Sequence, residues 1–177
     1  VYPLMATPLR IADRFQATPL TNDGMAFLKE AVYQDELGRV ELQWDYHAIL
    51  WLREHVQGSP VILEASTPIY RWGSRVSIYT GLPTVLGWDW HQTQQRWDYQ
   101  QSIQRRKEDV TAFYSTPDAT EALALLQRYQ VEYVYVGALE RLYYPSEGRQ
   151  KFDAMVNQGL LQAVYQNPQV IIYQVLL

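Results

Sequence analysis

Aromatic and cationic side chains are concentrated between Tyr70 and Tyr99, and this stretch holds most of the residues that could bind a ligand. It contains four of the six tryptophans, three arginines and one of the three histidines in the chain. Aromatic faces offer stacking surfaces, and guanidinium groups form bidentate hydrogen bonds with anions such as phosphate. The stretch therefore predicts a surface that binds a sugar, a phosphate or a protein partner.

The candidates for binding a ligand or for ordering this loop are the arginines, aromatic residues and polar residues Arg71, Trp72, Arg75, Tyr79, Trp88, His91, Gln92, Arg96 and Arg141. A structural role is the alternative for each, since tryptophans also fill cores and arginines also tie loops to the body of a domain. A long loop that contains several glycines and a proline needs such anchors to be ordered. We therefore favour anchoring for the arginines and a core position for any single tryptophan.

Glu64 and Glu140 are the candidate catalytic residues, because two carboxylates can share general acid–base work. Glu64 ends one predicted strand, and Glu140 lies in the segment that follows another. The alternative is that each forms an ion pair, since buried carboxylates are normally paired, and Arg71, Arg75 and Arg141 are close in sequence. We favour the ion pairs.

Asp89 and His91, which are two residues apart, are the candidate metal ligands. A zinc site needs three or four ligands, and no second cluster of His and Asp supports this pair in the sequence. A capping role for Asp89 and a hydrogen-bonding role for His91 are therefore favoured. No cofactor is evident, because the sequence contains neither a nucleotide-binding glycine motif nor a nucleophile elbow.

The composition indicates one folded domain that does not bind nucleic acid. The chain has 177 residues, of which 47% are hydrophobic and 19% charged, and its net charge is −4. It lacks cysteine, which excludes disulfides and thiolate metal sites. No stretch reaches the roughly 18–20 apolar residues that span a bilayer. Because the first residue is valine rather than methionine, we expect a fragment of a larger protein.

Turn residues divide the chain into an N-terminal approach segment over residues 1–44 and a single α/β domain over residues 45–177. Pro3, Pro8 and Pro19 interrupt the approach segment, and a short helix is predicted from Met25 to Tyr33. We expect this segment to pack on the domain or to lead out of a preceding transmembrane helix.

Periodicity predicts the elements of the α/β domain. Helices are predicted over residues 46–56 with Asp45 as the N-cap, over 90–114 with a break near Arg106, and over 119–129 and 148–157. Strands are predicted over residues 60–64, 84–86, 131–136, 161–166 and 170–175.

This order of helices and strands along the chain predicts an α/β fold with a three-layer or Rossmann-like mixed sheet. Its core strands are parallel and joined by crossover helices, and a C-terminal antiparallel hairpin forms one edge. Ligands of such folds bind beyond the carboxyl ends of the strands. Glu64, Trp88 and the segment from Gly137 to Arg141 fall at those ends, so we expect a binding site there.

Several segments resemble the C-terminal part of the YYY-type hydrophobic membrane proteins, a family of unknown function. The longest runs from Trp72 to Trp88 and continues through His91-Gln92 and Gln95-Arg96. The others are residues 60–65, 131–137 and 139–141 together with Lys151-Phe152, so the resemblance extends over nearly the whole chain. Members of the family typically have glutamate where this chain has Gln92, so a carboxylate at that position is not essential to the pattern.

The resemblance implies a polytopic membrane protein that ends in this domain and is similar to GT-C membrane glycosyltransferases. On that basis the domain lies on the outer face of the cell membrane and does not itself catalyse. Its partners would be the transmembrane portion of the same polypeptide and a lipid-linked sugar or glycan. Two alternatives remain open: a domain that only docks on a partner, and an autonomous hydrolase that uses Glu64 or Glu140.

Overall fold

The computed structural model of the chain describes residues 2–14 and 21–176; Pro19 of the approach segment lies outside the described residues. The helices are α1 (Tyr2–Arg14), α2 (Gln43–His55), α3 (Arg75–Thr80), α4 (Asp89–Gln95), α5 (Gln100–Ser115), α6 (Ala119–Arg128), α7 (Ala138–Tyr143) and α8 (Gln150–Asn157). Short 3₁₀ turns span Ala26–Lys29, Trp97–Tyr99 and Ser146–Arg149. The strands are β1 (Val32–Gln34), β2 (Arg39–Glu41), β3 (Val61–Leu63), β4 (Val131–Val136), β5 (Leu161–Gln166) and β6 (Ile171–Val175).

A four-stranded mixed sheet with the order β3-β4-β6-β5 forms the centre of the fold. β3 and β4 are parallel, whereas β6 runs antiparallel to both β4 and β5. The predicted α/β class, the parallel core pair and the C-terminal hairpin are confirmed. β1 and β2 form a separate antiparallel hairpin.

Helices cover both faces of the sheet. Side chains alternate along each strand, so the strands present apolar side chains to helices on both faces. Val134 and Val136 of β4 belong to one apolar cluster, which also contains Phe113 of α5, Leu126 of α6 and Met155 of α8. Tyr135 of β4 belongs to a second cluster with Ala48 and Leu52 of α2 and Val76 of α3. The result is the three-layer arrangement that the sequence predicted.

The strand predicted over residues 84–86 is reduced to a single parallel bridge between Ile62 and Thr84. Ile62 donates its backbone N–H to the carbonyl of Pro83, and Val85 donates to the carbonyl of Ile62. Beyond this point the chain turns into α4, which begins at Asp89, so the pairing cannot extend.

Helix boundaries differ from the prediction where tertiary contacts replace local signals. α2 begins at Gln43, so Asp45 lies inside its first turn and is buried rather than capping it. The predicted long helix breaks at Arg96 instead of Arg106, with the 3₁₀ turn between its two parts. The helix predicted from Met25 to Tyr33 is a single turn followed by the β1–β2 hairpin, which the sequence did not predict.

Residues 25–42 contribute Met25, Leu28, Val40 and Leu42 to the larger apolar cluster. The division of the chain at residue 45 stays a prediction. Among the helices of the described residues, none combines the length and apolarity that crossing a membrane requires.

Candidate functional site

A groove of about 290 Å³ lies between the loop that follows β3 and the start of α4. Three aromatic rings on its walls are open to solvent: Tyr70 is 86% exposed, Trp88 48% and Trp90 47%. The described residues that line the groove are Thr67, Pro68, Ile69, Tyr70, Arg71, Trp88, Asp89, Trp90 and His91.

The wall formed by residues 88–91 is held in place by polar contacts. The indole Nε1 of Trp88 donates a hydrogen bond to the carbonyl of Gly73 at 3.1 Å, and the His91 ring packs edge-on against Trp88. Asp89 accepts a hydrogen bond from the backbone N–H of Trp90 at 2.8 Å and forms an ion pair with Lys107 of α5 at 2.6 Å. These contacts fix the orientation of the wall without covering its aromatic faces.

The opposite wall, residues 67–71, is tied to the β1–β2 hairpin through Arg71. Its guanidinium forms ion pairs with Asp35 at 3.6 Å and Glu36 at 2.5 Å. Asp35 also accepts hydrogen bonds from Tyr33 and Tyr143, and the bond from Tyr143 is the main reason that the pKa of this carboxyl lies below its usual value. Arg71 therefore anchors the loop, and its positive charge is already balanced.

Gly73 allows the loop to close on itself. A Cβ at this position would lie 2.2 Å from the hydroxyl oxygen of Thr67, so any other residue would force the Thr67 side chain to move. The carbonyl of the same residue receives the indole of Trp88. Gly73 thus holds the two walls of the groove together.

A buried ionic cluster positions the residues at the carboxyl ends of β3 and β4. The guanidinium of Arg75 is fully buried and donates to Asp45 at 2.7 Å and to Glu140 at 2.9 Å. Tyr135 donates its hydroxyl to Asp45 at 2.6 Å, and its ring lies under the Arg75 guanidinium at 5.0 Å. Arg75 therefore joins α2, α3, β4 and α7.

Glu140 and Glu64 have different environments within this cluster. Burial alone would raise the pKa of Glu140, but the Arg75 guanidinium and the backbone N–H groups of Ala65 and Gly137 hold that pKa below its usual value. Glu64 instead accepts hydrogen bonds from the backbone N–H groups of Val76 and Ser77 at 2.9 Å, and burial raises its pKa. Glu140 thus stays ionised beside Arg75.

The two candidate catalytic carboxylates are closed off from solvent. Glu64 is 1% exposed and Glu140 2%, and neither lines the groove. Their oxygens are occupied by the donors just described, so a substrate would have to displace those donors to reach them. This arrangement favours the structural alternative for both residues.

The remaining predicted site residues lie in several places. Arg71, Trp88, His91 and the metal candidate Asp89 line the groove. Trp72 is partly buried and packs against Phe27, Tyr33 and Tyr79, so it belongs to the core side of the loop. The others stand apart: Gln92 lies in α4, Arg96 directly follows α4 and is exposed, and Arg141 lines a different pocket.

Within the described residues, no group of three or more His, Asp or Glu side chains could hold a metal ion. Asp89 directs one oxygen at Lys107 and the other at a backbone N–H. The carboxylate is therefore committed to ordering the wall of the groove.

Tyr70, Trp90 and Ile69 line the groove although they were not among the candidate site residues. The available signal for Ile69 and Tyr70 was large apolar and aromatic residues beside Pro68 in a predicted loop, where a core position is hard to provide, whereas Trp90 stood at the start of a predicted helix. Their juxtaposition depends on the approach of two loops about 20 residues apart and is not visible in the sequence.

No family model matches the chain and no curated protein matches it, so the resemblance to the YYY family stays a prediction. Among solved structures, the chain is similar to the C-terminal globular domain of an oligosaccharyltransferase from Archaeoglobus fulgidus. The TM-score is 0.45 and the identity 12%, and the match covers 73% of this chain and 95% of that one. At these values the likeness decides neither the activity nor the ligand of this chain.

Proposed function

We propose that the chain is a non-catalytic recognition domain whose groove binds a neutral glycan. The observation that carries this proposal is the set of three solvent-exposed aromatic rings, Tyr70, Trp88 and Trp90, around one concave surface. An aromatic ring buries a large apolar area when a ligand covers it. Exposed rings that converge on a groove favour a binding role, whereas a ring that packs against the core, as the partly buried Trp72 does, does not.

The volume and charge of the groove favour a neutral sugar over a phosphate. A volume of about 290 Å³ suits one or two sugar rings rather than a large cofactor. Arg71 is paired with Asp35 and Glu36, and Asp89 is paired with Lys107, so little uncompensated charge faces the ligand. Arg71 and His91, which line the groove, can exchange hydrogen bonds with sugar hydroxyls while the rings cover the apolar face.

The small number of carboxylates in the groove disfavours a glycosidase function. Glycosidases that act through two carboxylates place them on either side of the bond that is cleaved. Among the described residues that line the groove, Asp89 is the single carboxylate, and it is committed to Lys107. Recognition without catalysis is therefore a better account of the groove than hydrolysis.

The membrane context is part of the proposal and is supported by the sequence resemblance. In that context the domain lies outside the membrane, beside the transmembrane portion of the same polypeptide, and the groove receives the sugar part of a lipid-linked or protein-linked glycan. A parent protein with glycosyltransferase activity would use the domain to position its substrate.

The experiment is a titration of the folded chain with a panel of neutral disaccharides, measured by calorimetry. We expect Trp90→Ala to weaken binding about tenfold, since loss of one stacked ring removes roughly 1.4 kcal/mol. Trp97→Ala is the matched control, because Trp97 is 76% exposed and lies outside the groove. Equal affinities in the two variants, or no binding by the folded wild-type chain, would contradict the proposal.

A docking domain that binds a protein partner is the second candidate. The exposed Trp97 and Tyr99 on the turn between α4 and α5 favour it, because the groove does not use them. The calorimetric panel separates the two functions: a docking domain leaves all sugars unbound, whereas a glycan-binding domain responds to at least one of them.

A further inference from the structure

A second concave surface, of about 320 Å³, lies where β4 runs into α7. Arg39 of β2 and Arg141 of α7 line it, together with apolar side chains that include Val40, Leu142 and Pro168. It shares no lining residue with the aromatic groove.

The two arginines of this surface differ from the arginines that hold the fold together. Arg71 and Arg75 each have carboxylate oxygens within 4.0 Å. In the part of the chain that the structure describes, neither Arg39 nor Arg141 has a carboxylate partner at that range. Two guanidinium groups without counter-ions on one concave surface attract an anion, even though the chain as a whole carries a net charge of −4.

Glu140 is the nearest acidic group in the sequence, but it does not neutralise Arg141. Its two oxygens are occupied by Arg75 and by the backbone N–H groups of Ala65 and Gly137. Burial lowers the pKa of Arg141, and the nearby positive charge of Arg149 lowers it further against the opposing effect of Glu140. The charge of an incoming anion would offset both of these unfavourable contributions by stabilising the charged guanidinium.

The surface is built on fixed elements. Arg141 donates one of its N–H groups to the carbonyl of Gln169 in the turn between β5 and β6. Asn167 holds that turn in place. Its side-chain oxygen accepts hydrogen bonds from the backbone N–H groups of Gln169 at 2.9 Å and Val170 at 2.7 Å. Its side-chain amide donates a hydrogen bond to the carbonyl of Trp44. The remaining N–H groups of Arg141 are therefore presented in a fixed orientation.

We propose that Arg39 and Arg141 form an anion site that binds a phosphate group. The planar guanidinium fork matches the oxygens of a phosphate, and the apolar side chains beside it accommodate the organic part of a phosphate ester. The phosphate is either free in solution or part of a lipid headgroup. The site is independent of the glycan groove in both residues and ligand chemistry.

The test is binding of inorganic pyrophosphate by the folded chain, followed through backbone amide signals in NMR titrations. We expect Arg39→Gln and Arg141→Gln each to weaken binding about tenfold or more, because each removes charge-assisted hydrogen bonds. Arg105→Gln is the matched control, since it removes the same charge from an exposed position on α5 outside this surface. The signals that move are expected to be those of residues 39–40, 138–142 and 168–169.

A second arm distinguishes the two sources of phosphate. Sedimentation with vesicles of equal parts phosphatidylglycerol and phosphatidylcholine is compared with the pyrophosphate titration. Binding to either probe that depends on Arg39 and Arg141 supports the site and identifies the source. No binding to either probe, or an equal loss in the Arg105→Gln control, overturns it. Arg141→Lys, which keeps the charge but loses the fork, replaces Arg141→Gln if that variant fails to fold, and reduced binding is expected there too.

Discussion

Replacing Arg75 by methionine is the sharpest test of the buried ionic cluster. Methionine keeps much of the length of the side chain but removes the donors to Asp45 and Glu140. The two carboxylates and Glu64 then remain buried without a cation. Breaking a buried ion pair by removing one partner typically costs about 3–5 kcal/mol. Since a domain of this kind has a free energy of unfolding of about 5–15 kcal/mol, the variant should fold but be much less stable.

The loss of stability in Arg75→Met should depend on pH, and the charges of the cluster determine the direction of that dependence. Without Arg75, the effect of burial on Glu140 is no longer offset by a cation, so the pKa of Glu140 rises in the folded state and the folded variant binds more protons than the unfolded chain below neutrality. The variant therefore gains stability as the pH falls from 7 toward 5, by about 1.4 kcal/mol for each unit of raised pKa. In the wild-type chain the pKa of Glu140 is lowered, so its contribution is retained until the pH falls below its usual range.

The assay is urea-induced unfolding at pH 7 and pH 5, with Arg71→Met as the control. Arg71 also contacts carboxylates but lies at the surface, so a much smaller and nearly pH-independent loss is expected for it. Equal losses in the two variants would refute the assigned role of Arg75. So would a loss in Arg75→Met that stays constant between the two pH values.

Two further predictions concern the packing of the core. Burial lowers the pKa of Lys151 to about 8, so the free energy of unfolding of the wild-type chain should rise by about 1 kcal/mol per pH unit from about pH 8 toward 10. Urea unfolding of Lys151→Met should lack this rise. The same pH dependence in the wild-type chain and the variant would contradict the prediction. A Cβ on Gly137 would lie 2.9 Å from both Arg75 and Tyr135, so Gly137→Ala should lower the free energy of unfolding by about 1–3 kcal/mol. Gly24→Ala, whose Cβ would meet nothing within 4 Å, should be nearly neutral. Thermal unfolding measures both, and similar melting temperatures for the two variants would contradict the close packing at Gly137.

Elements with strong local signals could be predicted from the sequence. β4 was predicted with its observed bounds because its β-branched and aromatic residues are followed by Gly137. α6 begins at the predicted residue 119, where Asp118 caps the helix by accepting a hydrogen bond from the backbone N–H of Thr120 at 2.7 Å. The C-terminal hairpin was also predicted, and the side chain of Asn167 holds its turn by accepting hydrogen bonds from the backbone N–H groups of Gln169 and Val170.

Elements that depend on distant partners could not be predicted. Asp45 has the residue type of an N-cap, but it is bound by Arg75, 30 positions further along the chain. The strand expected at residues 84–86 has apolar residues of the right type, yet its pairing with β3 is limited to the single bridge between Thr84 and Ile62 before the chain turns away. Local patterns do not encode either contact.

The candidate site was predicted in part for the same reason. The stretch between Tyr70 and Tyr99 was singled out, and Arg71, Trp88 and His91 do line the groove. The division of its tryptophans into a core residue, Trp72, and groove residues was not visible. That division depends on the closure of the loop at Gly73, which is a contact between two distant segments.

The most direct test of glycan recognition observes the tryptophan indole N–H signals by NMR while a neutral disaccharide from the binding panel is added. The groove predicts that the indole signals of Trp88 and Trp90 shift with one common affinity, while those of Trp97 and Trp51 stay in place. Movement of the Trp97 signal alone, or no movement of any indole signal at saturating sugar, would contradict a glycan site in the groove.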